Sequence, residues 1–193
     1  MIVNRDERRG RATSFGEVAD AYERARPGYP EDAVRWLVGK EPRDVVDLGA
    51  GTGKLTRSLV ALGHRVTAVE PLPEMIAYLL AAVPGVTAVQ GGAEAIPLEA
   101  ESADVVVAAQ AFHWFDRDAA RREMARILRP DGWVALIWNV RQTESTPFLR
   151  ELETLLLDYS IDYARVRHEN VTDEIVRAFL TRDYAKRTVE HAQ

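Results

Sequence analysis

The chain of 193 residues contains no cysteine. That excludes disulfides, thiolate metal ligands and a cysteine nucleophile. It also lacks any run of the roughly 18 apolar residues needed to cross a bilayer. Residues 1–10 are polar and arginine-rich with no apolar centre, which is not the pattern of a secretory leader. Basic charge is in short supply: 25 Lys and Arg against 30 Asp and Glu leave a net charge of −5. A nucleic-acid surface normally shows a basic stripe. These absences lead us to expect a cytoplasmic protein without a nucleic-acid, membrane or metal partner. At 47% hydrophobic and 28% charged residues, the composition is that of a globular chain. The length suits a single domain over 1–193.

What is present centres on Val45-Val46-Asp47-Leu48-Gly49-Ala50-Gly51-Thr52-Gly53-Lys54-Leu55. An apolar strand runs into a glycine-rich turn that opens into a helix, so backbone N–H groups and a helix N-terminus face whatever binds there. Gly49 and Gly51 permit a tight bend and a close ligand, and Gly53 permits close packing of helix and strand.

The chain around this turn alternates. Residues 1–14 read as a flexible tail. Residues 15–39 form a helical lid: helical spacing over 15–25, a break at Arg26-Pro27-Gly28-Tyr29-Pro30, then a helix over 31–38 with Pro30 suited to its first position and Gly39 to its stop. The cofactor-binding core covers 44–139. Strands are expected at 44–48, 65–70, 86–90, 104–109 and 132–138, and helices at 54–62, 73–83 and 116–128, the last capped by Asp116 or Asp118. The apolar run at 104–109 suits a parallel strand covered on both faces. This rhythm predicts an α/β fold with a doubly wound parallel sheet, whose ligands bind at the carboxyl ends of the strands. Residues 146–193 read as a helical segment, with helices at 147–159 and 172–191.

Three ligand classes compete for the turn. A phosphate-cradling loop needs a first glycine where Leu48 stands and a hydroxyl where Leu55 stands, which sets it aside. A dinucleotide fingerprint fits at Gly49 and Gly51 but meets Lys54 at its third glycine. A nicotinamide-dependent oxidoreductase therefore stays as an alternative. The third class rests on a resemblance. Asp47-Leu48-Gly49-Ala50-Gly51-Thr52-Gly53 resembles the first motif of the class I S-adenosylmethionine-dependent methyltransferases. Five further stretches are similar to the type 11 small-molecule branch: Tyr22 to Pro30, Glu70-Pro71, Gly92-Ala93-Glu94-Ala95-Ile96-Pro97-Leu98, Asp104 to Val107 with Gln110-Ala111-Phe112-His113-Trp114-Phe115, and Leu128-Arg129-Pro130-Asp131-Gly132-Trp133.

The resemblance implies a Rossmann-like sheet of order 3-2-1-4-5 and methyl transfer from S-adenosyl-L-methionine, leaving S-adenosyl-L-homocysteine, to a small-molecule oxygen, nitrogen or carbon. A domain that binds the cofactor without turnover is the second alternative. Asp47 would hold the cofactor's ammonium, or else cap the turn. Gly49, Ala50, Gly51 and Gly53 would lie along the methionine and ribose. Glu70 would accept from both ribose hydroxyls, and Pro71, Ala93 and Glu94 would face the adenine. Gln110 would lie near the sulfonium. Tyr22 and Arg26 would belong to the lid, with Arg26 on the cofactor carboxylate. His113 and Trp114 would line the acceptor pocket, with His113 the candidate base if the acceptor must lose a proton.

Base-amino methyltransferases resemble one another in an Asn/Asp-Pro-Pro-aromatic stretch, absent at Gln110-Ala111-Phe112-His113, and cytosine ring methylation needs the missing cysteine. The family's closing antiparallel hairpin has no counterpart in the spacing after Asn139. Strand five would then be an edge needing cover: from the 147–159 helix, from a second copy in a homodimer, or from a longer form of the chain.

Overall fold

The computed structural model describes residues 27–140, 146–159, 173–180, 185 and 187. The expected tail, the 15–25 helix, Tyr22 and Arg26 lie outside the described residues. Helix α1, Glu31–Val38, has the expected bounds, but Pro30 is its N-cap, with ψ 137°, not its first helical residue. Glu31 and Asp32 then occupy the first turn, where negative charge suits the helix dipole. Five strands follow: β1 (Asp44–Leu48), β2 (Arg65–Glu70), β3 (Thr87–Gln90), β4 (Ala103–Ala109) and β5 (Leu128–Ile137). The helices between them are α2 (Lys54–Ala61), α3 (Pro73–Ala82) and α4 (Arg117–Ile127), with α5 (Pro147–Tyr159) and α6 (Asp173–Leu180) beyond. Asp116, not Asp118, caps α4; its side chain accepts from the Ala119 N–H.

The sheet has the order β3-β2-β1-β4-β5, and every pairing is parallel. Strand alternation divides the core into two clusters. Val46, Leu48 and Val106 pack with Ala120, Met124 and Ile127 of α4. Val45, Val105 and Val107 pack with Val34 and Val38 of α1 and Leu55 and Leu59 of α2. Burial on both faces explains why β4 beyond Asp104 reads as an apolar run, Val105 to Ala109.

An ionic tie closes the amino ends of the strands. Arg129 Nη1 lies 2.8 Å from both Asp44 Oδ2 and Asp104 Oδ1, and Asp44 also pairs with Arg65 at 2.6 Å. Four strands are thereby joined at the end opposite the glycine turn, which leaves the carboxyl ends open for chemistry.

Two expectations are corrected. Strand five starts at Leu128 rather than Gly132 and stops at Ile137, before Trp138. Leu128 already pairs with Ala103, and the ladder resumes at Trp133 after a register shift. Asp131, with φ 66°, turns the intervening residues outward, a bulge that hydrophobic spacing does not reveal. The last helix covers Asp173–Leu180, and the backbone at Ala185 and Arg187 is no longer helical, so it does not run to residue 191. Among the described residues the sheet has five strands and β5 is an edge. Among the described residues β5 packs most closely on β4, α1 and α4; α5 has Glu153 as its one buried residue. It leaves Phe148 70% and Leu155 54% exposed. No described helix is long and apolar enough to cross a membrane, and the described residues hold no His, Asp and Glu cluster suited to a metal.

Gly53 caps α2 with φ 85°, and a Cβ there would lie 2.8 Å from Leu79 Cγ. Its close approach is to helix α3, not to a strand. Gly53→Ala is expected to destabilise by about 2–4 kcal/mol, the left-handed strain and overpacking together. Urea unfolding measures this, and a loss below the error of extrapolation would contradict it.

Candidate active site

The turn after β1 is tied to β2 by backbone before any side chain acts. Gly49 and Ala50 N–H both donate to the Val69 carbonyl, at 2.8 and 3.2 Å. Gly49 has φ 73°, and a Cβ there would meet Ala111 Cβ at 2.7 Å, with the Phe115 ring at 3.8 Å. Glycine is therefore required at this position by the segment beyond β4. Gly51 differs: φ is 55° and, among the described residues, nothing lies within 4 Å of its would-be Cβ.

Glu70, the last residue of β2, is 6% exposed and organises the turn from the side. Its Oε2 accepts from the Gly51 N–H at 2.9 Å and its Oε1 from the Leu72 N–H at 3.1 Å. Burial pushes its pKa upward, opposed by those two amides. Each carboxylate oxygen has two acceptor directions, so capacity remains for ligand hydroxyls. The next strand exit is tied in as well: Gly91 N–H donates to the Glu70 carbonyl at 3.2 Å, and Gln90 Nε2 to the Pro71 carbonyl at 3.1 Å.

Asp47 is fully buried beneath the turn. Its Oδ2 accepts from the Thr56 hydroxyl at 2.6 Å, while Oδ1 is buried with no hydrogen-bond partner. Burial pushes the carboxyl up to about 6; Thr56 opposes the rise and the neighbouring Glu70 charge adds to it. Holding the first turn of α2 is the structural half of the expectation for Asp47. Thr56 is not among the expected residues, although a hydroxyl three positions into a helix behind an acidic strand end is a readable capping signal.

The other expected residues divide into two groups. Pro71 is exposed, and Ala93 is buried in the core cluster that holds Val69. Glu94 is exposed, but its Oε1 already accepts from the Asp116 N–H at 2.8 Å. On the other side, Gln110 sits at the end of β4 with φ 56°, strained for a residue with a side chain. Its N–H donates to the Ile137 carbonyl and its Nε2 to the Asn139 carbonyl, both at 3.0 Å. Asn139, another residue not singled out in sequence, donates from Nδ2 to the Gly28 carbonyl at 3.2 Å. His113 and Trp114 lie half-buried in the 3-10 turn Phe112–Trp114, their rings 4.9 Å apart. Phe112 is core rather than pocket wall: it is fully buried, edge-on to Phe115 and Trp138.

A group with a cationic end, vicinal hydroxyls and no phosphate fits what this site offers. Asp47 Oδ1 is a buried acceptor with no partner among the described residues, Glu70 has spare acceptor directions, and no described residue lies within 4 Å of a Cβ built on Gly51.

Comparison with known proteins agrees. A family model described as a methyltransferase domain matches residues 46–136. A Mycobacterium tuberculosis protein named as an uncharacterised methyltransferase is 50% identical over 149 residues, which are 77% of this chain and 61% of that protein. A malonyl-[acyl-carrier protein] O-methyltransferase of Methylococcus capsulatus is 35% identical over 140 residues, 67% of this chain and 51% of that one. The chain thus spans less than two thirds of the length of these relatives. A solved structure from Methanococcus maripaludis, described as an S-adenosylmethionine-dependent methyltransferase, shares the fold with a TM-score of 0.65 at 22% identity, covering 94% of this chain and 85% of that chain.

Because its carboxyl is raised from 3.8 to about 6, Asp47 holds its proton in the folded state over a window where the unfolded chain releases it. Stability linked to this group is intact below about pH 3.8 and is lost as pH rises through 6. Asp47→Asn is therefore expected to be more stable than wild type at pH 7.5 by about 1–3 kcal/mol, with the gain vanishing near pH 4. Denaturant melts at both pH values test this, and a variant less stable at pH 7.5 would contradict it.

Proposed function

Since the chain belongs to the type 11 branch of the class I S-adenosylmethionine-dependent methyltransferases, we propose that it transfers a methyl group from S-adenosyl-L-methionine to a small-molecule acceptor. The observation that carries this reading is Glu70: a buried carboxylate at the end of β2 that fixes the Gly51 amide and keeps acceptor capacity beside a glycine that no described residue crowds. When bound, S-adenosylmethionine supplies a methyl group activated on a sulfonium.

The chain's own residues bind and orient. Asp47 offers the cofactor's ammonium a buried negative charge, and Glu70 takes the ribose hydroxyls. Pro71 and the Ala93–Glu94 segment bound the adenine, with Ala93 acting through its backbone and Glu94 through its hold on α4. Gln110, held to Ile137 and Asn139, lies near the sulfonium. Tyr22 and Arg26, outside the described residues, enter the reading through the resemblance alone. A displacement at an activated methyl depends chiefly on alignment. His113, its ring tilted at 45° to that of Trp114, lines the acceptor side, and a carboxylate acceptor would ask no base of it. The malonyl-[acyl-carrier protein] relative, whose name is that of an O-methyltransferase, favours oxygen among the three acceptor atoms. The reading includes a cytoplasmic location and no nucleic-acid substrate.

Calorimetric titration with S-adenosyl-L-homocysteine tests the reading. Saturable binding is expected; no heat at millimolar ligand would reject it, and preferential binding of a nicotinamide dinucleotide would revive the oxidoreductase alternative. Metabolite screening for uptake of labelled methyl then separates an enzyme from a binding domain. Glu70→Ala should weaken S-adenosyl-L-homocysteine binding by about 1.5–3 kcal/mol, the scale of a lost hydrogen bond to a charged group; an unchanged dissociation constant in the folded variant would contradict the ribose role. His113→Ala should cost less than about 10-fold in turnover, whereas a loss of about 10²-fold or more would make it the base.

A further inference from the structure

The segment at residues 92–98, which bounds the adenine in the reading above, is not self-supporting. It contains one isolated bridge, Gly92 to Ala95, and a short contact from the Leu98 N–H to the Ile96 carbonyl at 2.8 Å. Its backbone is instead held by helix α4. Ile96 N–H donates to Glu123 Oε2 at 2.8 Å. Arg126 donates from Nη1 to the Leu98 carbonyl at 2.7 Å and from Nη2 to the Ile96 carbonyl at 2.8 Å. Glu123 and Arg126 are themselves paired twice, at 2.9 and 2.8 Å. The pairing with Arg126, helped by the Ile96 amide and opposed by burial, holds the Glu123 carboxyl down at about 2. Farther along, Glu94 reaches the N-cap of the same helix at the Asp116 N–H.

An ordinary i,i+3 ion pair on a helix is worth little. This one has a different use, because each partner directs its remaining hydrogen-bonding capacity to the loop. Arginine suits this geometry, since one planar fork serves two carbonyls and a carboxylate together, which an ammonium on a flexible stem cannot do. Neither side chain belongs to the cofactor motifs, and both act through the loop. We propose that Glu123 and Arg126 are positioning residues that set the conformation of the 92–98 loop for the adenosine part of the cofactor. This rests on the proposed cofactor reading. The same helix follows directly on the Phe112–Trp114 turn, so α4 links the adenine side of the site to the acceptor side.

Arg126→Lys keeps the charge and removes the fork. The probes are S-adenosylhomocysteine and 5′-methylthioadenosine, titrated calorimetrically into wild type and variant well below the melting temperature, with hydrogen exchange read at residues 93–98. The expected result is a dissociation constant raised about 5–10-fold for both ligands, with faster exchange in the loop. The equal loss matters, since the two ligands share adenosine and differ at the methionine end; a purely stabilising role would move the melting point and leave both constants alone. Should Arg126→Lys fail to fold, Glu123→Gln, which keeps an oxygen opposite the Ile96 N–H, carries the same test. Wild-type affinity in a folded variant overturns the positioning role alone. No binding of either ligand to wild type overturns the cofactor reading together with it.

Discussion

The Glu70 carboxylate is the constraint on which the site depends. One oxygen takes the Gly51 amide and the other the Leu72 amide, so a single side chain fixes the glycine turn against the start of α3. Backbone bonds from Gly49 and Ala50 to Val69 set the height of the turn, and the Glu70 carbonyl receives Gly91 from the third strand exit. Three strand ends thus converge on one residue. Its burial makes the charge costly, and the two amides offset part of that cost. Removing either amide from the arrangement would leave a buried carboxylate short of partners, which is why the turn and β2 behave as one unit.

Asp47 follows the same logic with a different balance. Thr56 satisfies one oxygen, and the other is left without a partner in a fully buried place beside a second acidic group. A protein selected for stability alone would gain by neutralising this position. An unsatisfied charge kept there makes sense if a cationic ligand group supplies what the fold withholds, and the stability given up is recovered on binding.

The sheet was largely legible because parallel strands buried on both faces leave apolar runs, as at β4, and because glycines at 49, 51 and 53 punctuate the first strand and helix. The order of the strands followed from the motifs. Less was legible where local patterning conflicts with three-dimensional contact. The start of β5 hides behind Arg129, Pro130 and Asp131, residues that read as a loop, yet Leu128 already pairs with Ala103 across the bulge. The helical spacing after residue 172 persists beyond the point where the helix ends. At the site, Asp47, Glu70 and Gln110 stand out through their positions at strand ends. Asn139, the partner of Gln110, does not, because a long-range hydrogen bond leaves no periodic trace. Glu123 and Arg126 look like a solvated helix pair for the same reason.

The central claim is that a cofactor sits over the carboxyl ends of β1 and β2, against the Gly51 backbone. Backbone amide chemical-shift mapping of 15N-labelled protein during titration with S-adenosyl-L-homocysteine tests it most directly. The account predicts saturable shifts that are largest at Gly51, Glu70, Leu72 and residues 92–94, and small at Arg65, Asp104 and Arg129 on the opposite end of the sheet. Saturable shifts centred on that opposite end, with Gly51 and Glu70 unmoved, would contradict it.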